Sequence, residues 1–144
     1  MLEITVEMLK EHGVCEAQRA LFQQWLGRRK SAPLTKKNVR SASYKGLSVD
    51  WIFENVPMAP KNDLLVAACG DPDAALAYAR HVEKKPSNTT REAACGDPRT
   101  AYHYAVQVDG AYHESTYIAA CDDPLYKALY DSARASNKIS ECLL

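Results

Sequence analysis

From Asp71 onward, apolar side chains recur four, seven, eight and eleven residues along: Ala75, Tyr78, Ala79 and Val82. From Asp97 the same offsets give Ala101, Tyr104, Ala105 and Val108. This is the stripe of a helix that buries one face, with a period of roughly 3.6 residues. Proline follows each Asp, so Asp is read as the N-cap and Pro as the first helical residue. Alternating Ala and Tyr on the stripe lets neighbouring helices approach closely while the ring fills the space between them. The helices are expected to end before Lys84-Lys85-Pro86-Ser87-Asn88 and before Asp109-Gly110.

Ahead of each Asp-Pro stands one short phrase: Ala67-Ala68-Cys69-Gly70, Ala93-Ala94-Cys95-Gly96 and Ala119-Ala120-Cys121-Asp122. The cysteines are separated by 26 residues both times, the signature of stacked supersecondary units. A first helix is expected through each phrase, capped by Asp63, Thr89 or Ser115, with Thr89 and Glu92 forming a capping box. It stops at Gly70, Gly96 or Asp122, read as left-handed terminators. The third copy carries Lys127, Asp131 and Arg134 at three of the core offsets, on one helical face where they can pair. It reads as a polar C-terminal cap, followed by a loose end or short helix from Ala135 to Leu144.

Weaker copies of the pattern precede these. Thr35 caps a helix through Ser43 that Gly46 breaks, and Ser48 caps another carrying Val49, Ile52, Phe53 and Val56. Thr5 starts a helix that stops at Gly13. A further helix from about Cys15 to Leu26 has Val14, Ala17, Leu21 and Trp25 on one face and stops at Gly27. The expected fold is all-α: short helix-turn-helix repeats of 26 residues stacked as a small α-solenoid and capped by an N-terminal helical hairpin. The single domain divides into a hairpin over 1–30, a degenerate repeat over 31–60 and three repeats over 61–144.

Composition changes this picture little. The 144 residues are 47% hydrophobic and 25% charged, with 18 basic and 18 acidic residues, so no global field steers the chain to nucleic acid or membrane. Apolar runs are too short to span a bilayer, and the first residues lack the basic start and apolar stretch of a secretory signal. The odd count of five cysteines without paired spacing points to free thiols and a cytoplasmic setting.

Local charge is uneven. Arg28, Arg29, Lys30, Lys36, Lys37, Arg40 and Lys45 lie in a window without one acidic residue. Such a segment suits a phosphate backbone or an acidic protein surface, although short runs of this kind are more often solvated faces. The repeated cysteines would lie about 10 Å apart in stacked hairpins, too far to share a zinc ion. They read as small buried residues. His12, His81, His103 and His113 have no metal-ligand spacing. Tyr102-His103 and Tyr112-His113 flank one interhelix loop, and Tyr102 and Tyr112 are candidates for exposed interface anchors. No phosphate loop, nucleophile elbow, zincin helix or dinucleotide fingerprint occurs, so no enzyme, metal or cofactor is expected.

Ile4-Thr5-Val6-Glu7-Met8-Leu9, Cys15-Glu16-Ala17 leading to Phe22, Leu34-Thr35-Lys36-Lys37-Asn38 and Gly46-Leu47-Ser48-Val49-Asp50-Trp51 resemble an N-terminal module of small bacteriophage and prophage proteins. The repeats resemble those downstream in such proteins. The resemblance implies a mobile-element setting, in which small non-enzymatic proteins bind and block a host factor. The expectation is therefore a protein-binding module acting on a host protein or complex, including a CRISPR or other defence component. The alternative is a nucleic-acid-binding accessory protein using residues 28–45.

Overall fold

The computed structural model describes residues 2–141. It is mostly helical, with ten helices and one two-stranded ribbon among the described residues. In chain order these are β1 (Glu3–Ile4), α1 (Val6–Glu11), α2 (Glu16–Leu26), β2 (Ala32–Pro33), α3 (Lys36–Tyr44), α4 (Asp50–Asn55), α5 (Asn62–Ala68), α6 (Pro72–Ala77), α7 (Asn88–Ala94), α8 (Pro98–Tyr104), α9 (Glu114–Ala120) and α10 (Pro124–Ala135). Helices α6 and α8 continue as π-helical turns over Tyr78–Glu83 and Ala105–Asp109. These turns end at Lys84 and Gly110, both left-handed.

Local capping accounts for many starts. Thr5 and Thr35 accept from the amides of Met8 and Asn38, and Asp71 and Asp97 from those of Ala74 and Thr100. Asp123 accepts from Leu125. Each of the three Asp-Pro pairs opens a helix as expected. The expected stripes are buried: Ala75, Tyr78, Ala79 and Val82, then Ala101, Tyr104 and Ala105, with Val108 half-buried.

The caps of the preceding helices need correction. Asp63, Thr89 and Ser115 lie inside α5, α7 and α9, whose N-caps are Lys61, Ser87 and His113, and Glu92 closes no capping box. Ser87 caps α7 with its own hydroxyl, which accepts from the Thr90 amide at 3.2 Å, whereas Lys61 and His113 make no side-chain cap. Common to all three is a contact from a tyrosine later in the chain. Tyr78, Tyr104 and Tyr130, each fully buried, bring their hydroxyls to the backbone N–H and C=O of Lys61, Ser87 and His113 at 3.1–3.5 Å. The tyrosine hydroxyl thus satisfies both polar groups of each cap residue from the buried side of the chain reversal. Thr90 and Thr116 bond the same hydroxyls at 2.6 and 2.9 Å.

Gly70 and Gly96 also differ from expectation, because neither is left-handed. A Cβ on Gly70 would meet the Lys36 carbonyl oxygen at 2.6 Å, and one on Gly96 would meet Pro72 Cγ at 3.1 Å. Close approach of the preceding elements, not backbone hand, explains glycine there. Ser48 does not cap α4, whose N-cap is Val49, although Val49, Ile52, Phe53 and Val56 are all buried. In α2 the buried residues are Phe22 and Leu26, while Ala17 is exposed.

First helices of successive pairs contact one another (α3 with α5, α7 with α9), as do the second helices (α4 with α6, α6 with α8, α8 with α10). The β1–β2 ribbon pairs Ile4 with Ala32 and ties residues 2–30 to α3 and the helices beyond it, in one apolar cluster that runs from Ile4 to Val82. A second cluster holds Ala105, Ala120, Tyr130, Ala133 and Ile139, and a small third holds Ala79, Ala94 and Tyr104.

Of the segment from Ala135 to Leu144, the described part up to Glu141 is not a loose end; residues 142–144 lie outside the described residues. After α10 the chain turns at left-handed Asn137, and Ile139 returns to full burial. Ser140 donates to the Gly110 carbonyl and accepts from the Tyr112 amide. Lys127 and Asp131 pair at 2.9 Å, whereas Arg134 turns away to Glu141. Leu125 and Leu129 are also exposed, on the side of α10 opposite the Lys127, Asp131 and Arg134 face.

Candidate binding surface

Helix α3 is divided lengthwise. Val39 and Ala42 are buried, while Lys36, Lys37, Arg40, Ser41, Tyr44 and Lys45 line a shallow outward concavity. The outward residues form two adjacent rows at spacings of four, Lys36-Arg40-Tyr44 and Lys37-Ser41-Lys45, so the helical period gathers the charges on one face. No ion pair engages these four cations among the described residues. Lys36 and Lys37 stand in the first turn of α3, with no acidic residue there. The positive end of the helix dipole disfavours cations at that position by about 0.3–1 kcal/mol each.

Tyr44 is 88% exposed. A tyrosine is amphipathic and large, and leaving its ring in water forfeits the burial that would stabilise the fold. Charge alone marks this stretch in the sequence, and the ring escapes notice there. Its signal is a lone aromatic inside a basic run.

The three earlier cations have different fates. Arg28 and Lys30 are exposed in the chain between α2 and β2. Arg29 folds back: its guanidinium lies 4.6 Å from the centre of the Trp25 ring and donates to the carbonyls of Leu26 and Trp25 at 3.1 and 3.2 Å. It closes the C-terminal end of α2, where a cation is favoured. Trp25 Nε1 in turn donates to Ser41 Oγ at 3.1 Å, which brings this end of α2 against the middle of the α3 face.

The aromatic–histidine pairs part company. Tyr102 and Tyr112 are half-buried, each about 6 Å from the Tyr130 ring, and Tyr112 also carries Arg134 over its face at 4.3 Å. They pack the second apolar cluster and are not exposed anchors. His113 is the N-cap of α9, with Nε2 3.7 Å from Asp109. His103 keeps its ring 5.2 Å from that of Tyr102 and 6.5 Å from that of Tyr126, and also lines a polar recess of about 170 Å³ with Asp50, Asp73, Arg80 and Arg99. Burial lowers the pKa of His103, with Arg99 and Arg80 adding to the effect. Burial raises that of Asp50, assisted by Glu54 and Asp73.

Cys69 and Cys95 are half-buried, and burial pushes both thiols up, away from the thiolate form a nucleophile or metal ligand needs. Cys15, Cys69, Cys95 and Cys121 are unpaired, and Cys142 lies outside the described residues. No group of three or more His, Cys, Asp or Glu residues is arranged to hold a metal ion among the described residues. No helix there is long and apolar enough to cross a membrane. Comparison with protein-family models, with curated proteins and with solved structures finds no match.

Proposed function

We propose that the protein is a non-enzymatic binding module that presents the outer face of α3 to an acidic surface on a protein partner. The observation that carries this reading is the coincidence of four cations without ion-pair partners and an 88% exposed tyrosine on one rigid helix face. Two of those cations are placed where the helix itself disfavours them. An aromatic anchor ringed by charges is a composition enriched at interfaces, and the charges speed encounter with an acidic partner.

The pairwise contacts of first helices with first helices and second with second support a small α-solenoid of 26-residue repeats, with the α3–α4 pair as its degenerate member. In such an architecture the stack holds a binding face rigid. The likeness to small phage and prophage proteins supports a mobile-element origin and action in the host cytoplasm. The partner is then a host protein that the module blocks, with CRISPR and other defence components as the leading class.

A second reading rests on the same ring. Cations interleaved with an exposed aromatic also suit single-stranded nucleic acid, with the phosphates on the cations and a base stacked on Tyr44. The test compares wild type with a Lys36→Glu, Lys37→Glu, Arg40→Glu triple variant and with Tyr44→Ala, all matched for helical content. The expected result is a host protein retained by immobilised wild type and lost with both variants. Retention unaffected by either variant overturns the α3 assignment. Binding of labelled RNA or DNA that collapses with added salt, and with charge reversal, moves the conclusion to the second reading.

A further inference from the structure

Behind the same helix lies a cavity of about 290 Å³ enclosed by α1–α4 and the ribbon strand Ala32–Pro33. Its walls are largely apolar: buried Phe22, Val39, Ala42 and Ile52 contribute, together with half-buried Trp25 and Trp51. No charged side chain lines it. Two of its polar wall residues are already engaged, Gln18 Oε1 by the Ser48 amide at 3.0 Å and Asn38 Nδ2 by the Pro33 carbonyl at 2.8 Å. Gly13, Cys15 and Ser48 are exposed wall residues, and they mark a mouth between the α1–α2 turn and the α3–α4 connection.

Protein interiors hold few voids larger than a water molecule, because lining atoms without neighbours forfeit their dispersion contacts. Water is a poor occupant for such a wall, since an ordered water needs two to four polar partners. An apolar pocket with few polar groups is also the usual form of a small-molecule site. The recess is reached through a mouth and walled by core side chains, so its occupant is a small molecule and not a helix or strand of a partner.

We infer that the cavity between α1, α2, α3 and α4 is a binding site for an uncharged, predominantly apolar small molecule of one to three rings or an equivalent short aliphatic chain. At interior packing density the space accommodates a van der Waals volume of about 215 Å³. The absence of a charged wall residue excludes a carboxylate or phosphate from the buried end, because an unpaired buried charge is costly.

The chain contains two tryptophans, and both line this cavity, so the protein carries its own reporter. The probe is N-phenylnaphthylamine, titrated into the full chain while tryptophan is excited and energy transfer to the probe is followed. The expected result is saturable transfer at one probe per chain. Ala42→Phe, which fills the cavity from α3, is expected to weaken binding at least tenfold at unchanged helical content. Ser48→Tyr, which narrows the mouth from an exposed position, provides the same reading should Ala42→Phe not fold. Loss in a folded variant supports the site. Absent or non-saturable transfer in the wild type, or unchanged affinity in the folded variants, overturns it.

Discussion

The Tyr104 hydroxyl ties its own helix to the start of α7, 14 to 17 residues earlier in the chain. It donates to the Ser87 carbonyl and accepts from the Ser87 amide, both at 3.1 Å, and bonds Thr90 Oγ1 at 2.6 Å. Tyr104 and Thr90 are fully buried and Ser87 half-buried, so a group left without a partner here costs its desolvation. Burial also raises the pKa of this phenol, so the hydroxyl stays protonated and able to donate. Tyr104→Phe keeps the ring and removes only the oxygen. It is expected to cost about 1–3 kcal/mol in urea or guanidinium unfolding, with the loss at the start of α7. A variant as stable as wild type would mean that the tyrosine contributes by ring packing alone. The same geometry explains why the sequence points to the wrong caps. Asp63, Thr89 and Ser115 are capping types at a constant spacing, but the N-cap two residues earlier is bonded by a tyrosine hydroxyl that comes 17 residues later. Periodicity assigns Tyr104 to the core, although not its hydroxyl to this task.

Between helices, the sharpest feature is an ion pair that the repeat pattern does not announce. Arg91 of α7 donates to both carboxylate oxygens of Asp109, at 2.9 and 2.6 Å, and to Asn88 Oδ1 at 2.7 Å. The Asp109 side chain is 1% exposed. The Asp109 carboxylate raises the pKa of Arg91 by accepting these bonds, against the opposing effect of burial. Twenty-six residues earlier the corresponding positions are Leu65 and Glu83, and 26 later they are Tyr117 and Ala135, so no equivalent pair recurs at either. Removing one member of a buried pair strands the other charge and costs about 3–5 kcal/mol, whereas replacing both with apolar groups is often close to neutral. Arg91→Leu and Asp109→Leu are therefore each expected to destabilise strongly alone, and the two combined to recover most of the loss. Additive losses in that double-mutant cycle would show the two side chains acting separately. Helix identity is readable in the 61–135 region because Asp-Pro starts and Ala/Tyr stripes are local signals. The β1–β2 ribbon is not, since two residues per strand are too few to display an alternation. Gly70 and Gly96 mislead for a related reason: a glycine after a helix signals either a left-handed residue or a neighbouring backbone, and only the neighbours decide.

At the scale of the whole molecule the buried apolar side chains described form three clusters: a first from Ile4 to Val82, a second around Tyr130, and a small third of Ala79, Ala94 and Tyr104. In a chain whose elements touch mainly their neighbours, stability is close to a sum of local and nearest-neighbour contributions, and its parts open separately. The far end is closed by Ile139, which is fully buried although it lies in an otherwise polar segment and carries no periodic signal. The face on α3 rests on the first cluster, and so does the cavity behind it. Ile139→Ala removes buried side-chain volume from the second cluster only, at an expected cost of about 2–5 kcal/mol in local stability. Native-state hydrogen exchange is expected to show α9 and α10 losing protection while α2, α3 and α4 keep theirs. The α3 face should then bind its partner with unchanged affinity. Equal loss of protection from α2 to α10 would instead make the first and second clusters one cooperative unit. Binding at α3 would then depend on the C-terminal end as well.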